Sequence, residues 1–212
     1  MPDIRSQYLS AAATGLDLLK EEAVAAAWAK PSALTEFTVG GLAAHLATQV
    51  LAAAEALDTD FTARPRKSLF AHFFEAAWID GDLHNSANAK IRDGGEHLAQ
   101  AGPAAVVDST AQALAALREG LPALPADAPG GNPAWAYATG FDDFLITRIM
   151  EIVVHADDLA HSVGIDTPAF EPGPFDTATW VLTRLAAHRH GQTALIRALA
   201  RTERAPGTIS GL

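Results

Sequence analysis

The sequence contains no cysteine. That absence excludes disulfides, cysteine zinc knuckles, iron-sulfur clusters and a cysteine nucleophile, and it leaves histidine and carboxylate as the metal-ligating side chains. Any thiol chemistry must therefore use a thiol from outside the chain. Basic residues are also scarce: 15 Lys and Arg stand against 25 Asp and Glu, for a formal net charge of -10. A nucleic-acid partner needs clustered cations against its phosphates, so this class is set aside. No run approaches the roughly 18 apolar residues that would span a bilayer. The opening residues Pro2, Asp3, Ile4 and Arg5 do not form a basic stretch followed by an apolar core, so no signal peptide is read and a cytoplasmic protein is expected. Strand-type alternation is rare, and no internal repeat or coiled-coil heptad stands out.

What the sequence does have is alanine and helical periodicity. At 212 residues it is long enough to bury a core without staples. The summed propensities favour helix outside the Pro/Gly breaks, so an all-α protein is expected. A first helix is expected over 4–29, with Tyr8, Leu9, Leu16, Leu19, Ala23 and Ala27 inward and Pro31 closing it. A second runs from the N-cap Thr38 to Leu57, and its inward face carries Leu42, His45, Leu46, Gln49, Val50, Ala53 and Leu57. Leu69, Phe70, Phe73, Phe74 and Trp78 suggest a short apolar helix before a turn at Asp80-Gly81-Asp82. Further helices are expected over 86–101, from Pro103 onward with Val106, Val107, Thr110, Leu114 and Leu117 inward, over 141–163 ending at Gly164, and over 176–202. Residues 122–140 hold four prolines and three glycines and read as a long loop, carrying Trp135 and Tyr137.

The chemistry concentrates on the helix over 141–163. Glu151 and His155 stand four residues apart, which puts a carboxylate and an imidazole on one helical face. His45 offers a second imidazole from another helix, the way bundles assemble metal sites from facing helices. Two histidines and one carboxylate leave a tetrahedral ion one position open, the mark of a catalytic rather than structural zinc site. Arg148, Glu151, His155, Asp158 and Ser162 continue the stripe at steps of three or four. A solvated outer face would give the same stripe, and a lone inward histidine is usually a hydrogen-bonded core residue. The coincidence of the two elements favours a metal. Asp158 is a candidate to orient a ligand histidine, the usual companion of a metal-bound imidazole, and an ordinary surface carboxylate is the alternative. Arg148 either pairs with Glu151 or contacts an anionic substrate.

The motifs T-V-G-G-L-A-A-H-L around His45 and R-I-M-E-I-V-V-H-A-D-D-L around Glu151 and His155 resemble the DinB-like superfamily, specifically its mycothiol-dependent maleylpyruvate isomerase-like branch. The resemblance covers roughly residues 5–165. It implies a four-helix bundle holding a divalent metal, typically zinc, on His45, Glu151 and His155, with mycothiol as cosubstrate. Arg148 and Asp158, from their place on the stripe, are the catalytic candidates beside these ligands. The C-terminal residues 166–212 are expected to form one further helix packed on the same domain. The isomerase resembled here carries instead a separate α/β domain that supplies an arginine. Arg184, Arg197 and Arg201 in that last helix are read as a solvated basic face. His72 is expected in or at the edge of the core, His188 and His190 in solvent, and His84 in a surface turn. The implied function is thiol-dependent isomerisation or S-transfer on a small electrophile, by a monomer or homodimer. A noncatalytic metal-binding bundle and a metal-free helical interaction module are the alternatives.

Overall fold

The computed structural model describes residues 3–76 and 85–212. The expected positions of Trp78, of the Asp80-Gly81-Asp82 turn and of His84 fall outside them. Among the described residues the architecture is all-α with one two-stranded ribbon. The helices are α1 (Ile4–Leu19), α2 (Glu22–Ala26), α3 (Val39–Leu57), α4 (Leu69–Phe74), α5 (Ser86–Ala99), α6 (Pro103–Gly120), α7 (Phe141–Val163), α8 (Pro172–His190) and α9 (Gln192–Ala200). Helices α1, α3, α6 and α7 pack on one another as the bundle, α5 lies against α3, and α8 lies against α7 and α1.

The core is aliphatic with an aromatic end. Leu42, Leu46, Leu114, Leu117, Leu145, Ile149 and Ile152 are fully buried between the four bundle helices, and Phe141, Phe144 and Phe61 close one end. Each such side chain contributes about 1.5–3 kcal/mol relative to exposure. Tyr8 is buried and donates its hydroxyl to the Gln49 carbonyl at 3.1 Å, tying α1 to α3.

The first expected helix is broken. It ends at Leu19, and Glu21 is extended before α2 begins. The break turns Val24 and Ala27 into the core and lets the Trp28 indole donate to the Ala99 carbonyl at 3.1 Å. Tertiary packing overrides propensity there. The expected C-terminal helix is likewise two helices, α8 and α9, parted by Gly191 at φ 81°. On α8, Ala178, Val181 and Leu185 are buried, whereas no residue of α9 is.

Helix α3 starts where the sequence places it. The Thr38 hydroxyl accepts from the Gly41 amide at 2.9 Å. Its own amide and hydroxyl donate to the Glu96 carboxylate of α5, at 2.7 Å and 2.9 Å. Helix α7 begins with Asp142 and Asp143 in its positive first turn and ends on the left-handed Gly164 at φ 73°.

The long loop has more structure than its composition suggests. Pro129–Gly130 and Thr139–Gly140 pair as an antiparallel ribbon, β1 and β2, and Leu121–Ala123 forms a 3-10 turn. Two arginines clip it down. Arg5 donates to the carbonyls of Leu121 and Leu124 at 2.9 and 2.6 Å, and Arg64 donates to those of Pro133 and Trp135 at 3.0 and 2.6 Å. The loop is thereby laid over the end of α7 that leads to the polar stripe. No described helix is long and apolar enough to cross a membrane.

Candidate metal centre

His45 sits two turns into α3, and Glu151 and His155 stand one turn apart on α7, which packs against it. One donor atom from each of the three lies within 4.8 Å of the other two. Ligands about 2.1 Å from a tetrahedral ion are roughly 3.4 Å apart, so small side-chain adjustments would close the set. The His45 and His155 rings meet edge to face, 4.7 Å between centroids.

The orientation of His155 is fixed from two sides. Its Nδ1 lies 3.0 Å from an Asp158 carboxylate oxygen, and its Nε2 lies 3.0 Å from Glu151. With the Nδ1 proton held by Asp158, Nε2 is the nitrogen left for an ion, the arrangement that commonly supports a metal-bound imidazole. The side chains of His155 and Glu151 are only 15% and 13% exposed. Burial works against charge on Glu151, yet the hydrogen bond and positive charge of His155, with Arg148 behind them, bring its pKa down to about 2. Burial likewise disfavours the His155 imidazolium, yet Asp158 and Glu151 together raise it to about 9. His45 behaves oppositely: burial first, then the charge on His155, push it down to about 3. The cluster thus pairs one neutral imidazole with a charged imidazole-carboxylate couple, and the chemistry of this donor set suits a divalent cation.

Arg148, one turn before Glu151, is 8% exposed. Its Nε donates to the Thr147 hydroxyl at 3.0 Å and its Nη1 to the Gln49 side-chain carbonyl. Its partners are therefore Gln49 and Thr147, while Glu151 acts on it through charge. The stripe is not a solvated face. It borders a cavity of about 800 Å³ whose walls include Phe37, His45, His72, Trp135, Arg148 and Glu151. Ser162 closes the stripe by accepting from the Ala33 amide at 2.8 Å.

Sequence reasoning missed two of these roles. Gln49 reads as one more inward residue of α3, yet it is 1% exposed and is the partner of Arg148. The available signal was an amide one turn from His45 on the same face. His72 is buried as expected, and it also lines the cavity. Trp135 walls the cavity, and Tyr137 reaches His72. The exposed Arg184, Arg197 and Arg201 are not among the cavity's lining residues. His188 is exposed and stacks on Phe74, and His190 bonds the Ser210 carbonyl at 2.8 Å.

No curated protein and no solved structure matches the chain. A family model does: the mycothiol maleylpyruvate isomerase N-terminal domain, over residues 9–160. That span includes all of α3 and α7 as far as Ala160, the two helices that carry the triad. On that extent the chain belongs to the mycothiol maleylpyruvate isomerase N-terminal domain family, a DinB-like family.

Proposed function

We propose that the protein is a metal-dependent enzyme that activates a low-molecular-weight thiol, mycothiol in the first instance, for isomerisation or S-transfer on a small electrophile. The observation that carries this reading is the placing of two imidazoles and a carboxylate from facing helices on the wall of one cavity. Family membership supports the thiol. Three protein ligands leave a fourth position for an exogenous group, and the chain has no thiol of its own. Bound there, a divalent ion such as zinc lowers the pKa of a coordinated thiol and so makes a thiolate available at neutral pH.

The remaining work falls to the chain's own residues. Asp158 holds the His155 ring in the orientation that frees Nε2. Arg148, already buried beside Trp135 and Phe144 at 5.8 and 5.3 Å from their ring centres, offers a cation to an anionic group of the electrophile. Phe37 and Trp135 give the cavity an apolar wall beside these polar groups. In isomerisation the thiol is returned unchanged, whereas in S-transfer it leaves within the product, so thiol consumption separates the two outcomes.

The test is a titration of untagged, cobalt-substituted protein with mycothiol. A sulfur-to-cobalt absorption band is expected. Cobalt uptake with no response to millimolar thiol would place the protein among noncatalytic metal-binding bundles, and no uptake at all would leave a helical interaction module.

A further inference from the structure

Among the described residues that line the metal-centre cavity, Leu212 alone comes from beyond residue 160, where the family match ends. The path that brings it there runs over α8. Residues 201–208 are exposed, and the chain then returns to the helix, where the Ser210 carbonyl accepts from the His190 ring at 2.8 Å. Gly211 is buried, in a cleft that Phe73 and Phe74 of α4 and Leu185 and His188 of α8 also line. A Cβ at Gly211 would stand 2.8 Å from the Leu182 carbonyl oxygen and 3.3 Å from the Leu185 Cβ, so the backbone here lies directly on α8. Leu212 follows. It is half-buried, packs against the apolar core and forms part of the cavity's boundary.

The energetics of this segment differ from those of the bundle. Residues 205–212 have neither helix nor strand, and Ile209 and Leu212 are their half-buried apolar residues. The bundle helices, in contrast, each bury several large side chains completely. A segment with few buried apolar contacts and no hydrogen-bond ladder opens at a far lower free energy than the core it rests on, and covers over ligand sites are drawn from such segments.

We propose that residues 209–212 are a strap over the cavity, with Leu212 as the residue that limits the size of the molecule admitted and Gly211 as the point where the strap is seated on α8. The inference rests on reading the cavity as the chamber for the small electrophile, and it needs neither the metal nor the thiol. While the strap is seated, a small molecule can enter the space of about 800 Å³ beside the triad. A bulky one has to wait for the strap to lift.

The experiment uses the chain's lack of cysteine. Val154 lines the cavity, so Val154→Cys places a single thiol inside it. The full chain, kept metal-free by a chelator, is treated with methyl methanethiosulfonate or with the much larger fluorescein maleimide, and each rate is divided by the same reagent's rate on glutathione. The bulky-to-small ratio of these rates should lie well below one. Leu212→Ala should raise that ratio by about five- to tenfold, the change in strap opening that follows from losing part of a leucine's burial. Gly211→Ala should raise it while keeping Leu212, because the added methyl group meets the α8 backbone and unseats the strap. Leu199→Ala, on the exposed face of α9, should leave it unchanged. A ratio near one with the strap unaltered, a ratio moved by neither strap substitution, or a rise that merely follows a loss of global stability in urea would each overturn the inference. Because metal is absent throughout, failure here leaves the cobalt titration standing, and failure of that titration leaves the strap standing.

Discussion

Along α7, Arg148, Glu151, His155 and Asp158 follow one another at steps of three or four. Along α8, Arg184 and His188 do the same four apart. An arginine and a histidine recur in both rows, but their surroundings differ. α3 packs against the first stripe and the loop carrying Trp135 walls the same cavity, so Arg148 bonds Gln49 across the helices and His155 lies between two carboxylates. Arg184 and His188 on α8 are exposed and lie over the faces of Phe70 and Phe74. The difference teaches that spacing supplies a row of polar groups, and the element packed opposite decides whether that row becomes a site.

The sharpest way to break the comparison is to remove one imidazole from each helix. His155→Ala should abolish zinc binding in competition with a chromogenic chelator, while far-ultraviolet circular dichroism retains the helical signal, because the aliphatic core is independent of the metal. His188→Ala should change neither. Loss of helix on chelation of the wild type would show the metal to be structural instead.

A second contrast lies in acid. His72 is depressed to about 4 by burial, with Arg148 and Lys67 opposing its proton and Glu151 favouring it, and Tyr137 at its Nδ1. An unfolded histidine titrates near 6.5, so between pH 6.5 and 4 the unfolded state takes up the proton first and stability falls as pH falls. Urea melts of metal-free protein should show His72→Phe losing about 3 kcal/mol less than the wild type across that window. The same losses in both proteins would mean that the ring is not protected from protonation.

Next in size is the Gln49–Arg148 contact. Gln49→Leu leaves a buried guanidinium short of an acceptor and should cost about 2 kcal/mol in denaturant unfolding, whereas Arg184→Leu on α8 should stay within about 0.5 kcal/mol. The last contrast is the carboxylate behind the ligand. Asp158→Asn should weaken zinc binding by roughly 10- to 100-fold with little change in stability. An affinity equal to wild type would make Asp158 an ordinary surface carboxylate.

Legibility in the sequence followed the range of the forces involved. Local signals were readable: the Thr38 cap, the Gly164 stop and the four-residue step from Glu151 to His155 depend on neighbours within a turn or two. The meeting of His45 with that pair was legible only as a coincidence of two inward faces. Features made by distant contacts were hidden. The break after Leu19 brings Trp28 to the Ala99 carbonyl, 71 positions away, and nothing near Lys20 announces it. Gly191 was in plain view, but a glycine inside an alanine-rich helix is tolerated often enough that its positive φ could not be foreseen. The place of His72 at the cavity needed the loop residue Tyr137, 65 positions away, to be laid beside it.

The glycines ahead of His45 have a consequence for how this protein can vary. A Cβ at Gly40 would come within 2.7 Å of the Trp28 ring, and one at Gly95 of α5 would come within 2.7 Å of the Gly41 carbonyl oxygen. The second is a collision with backbone, which cannot swing aside. The seam between α3 and α5 therefore acts as the datum from which the height of the His45 ring is measured against α7. A single methyl group added at Gly95 would lift one helix from the other and move His45 against Glu151 and His155, so the geometry of the triad can drift from residues that do not belong to it.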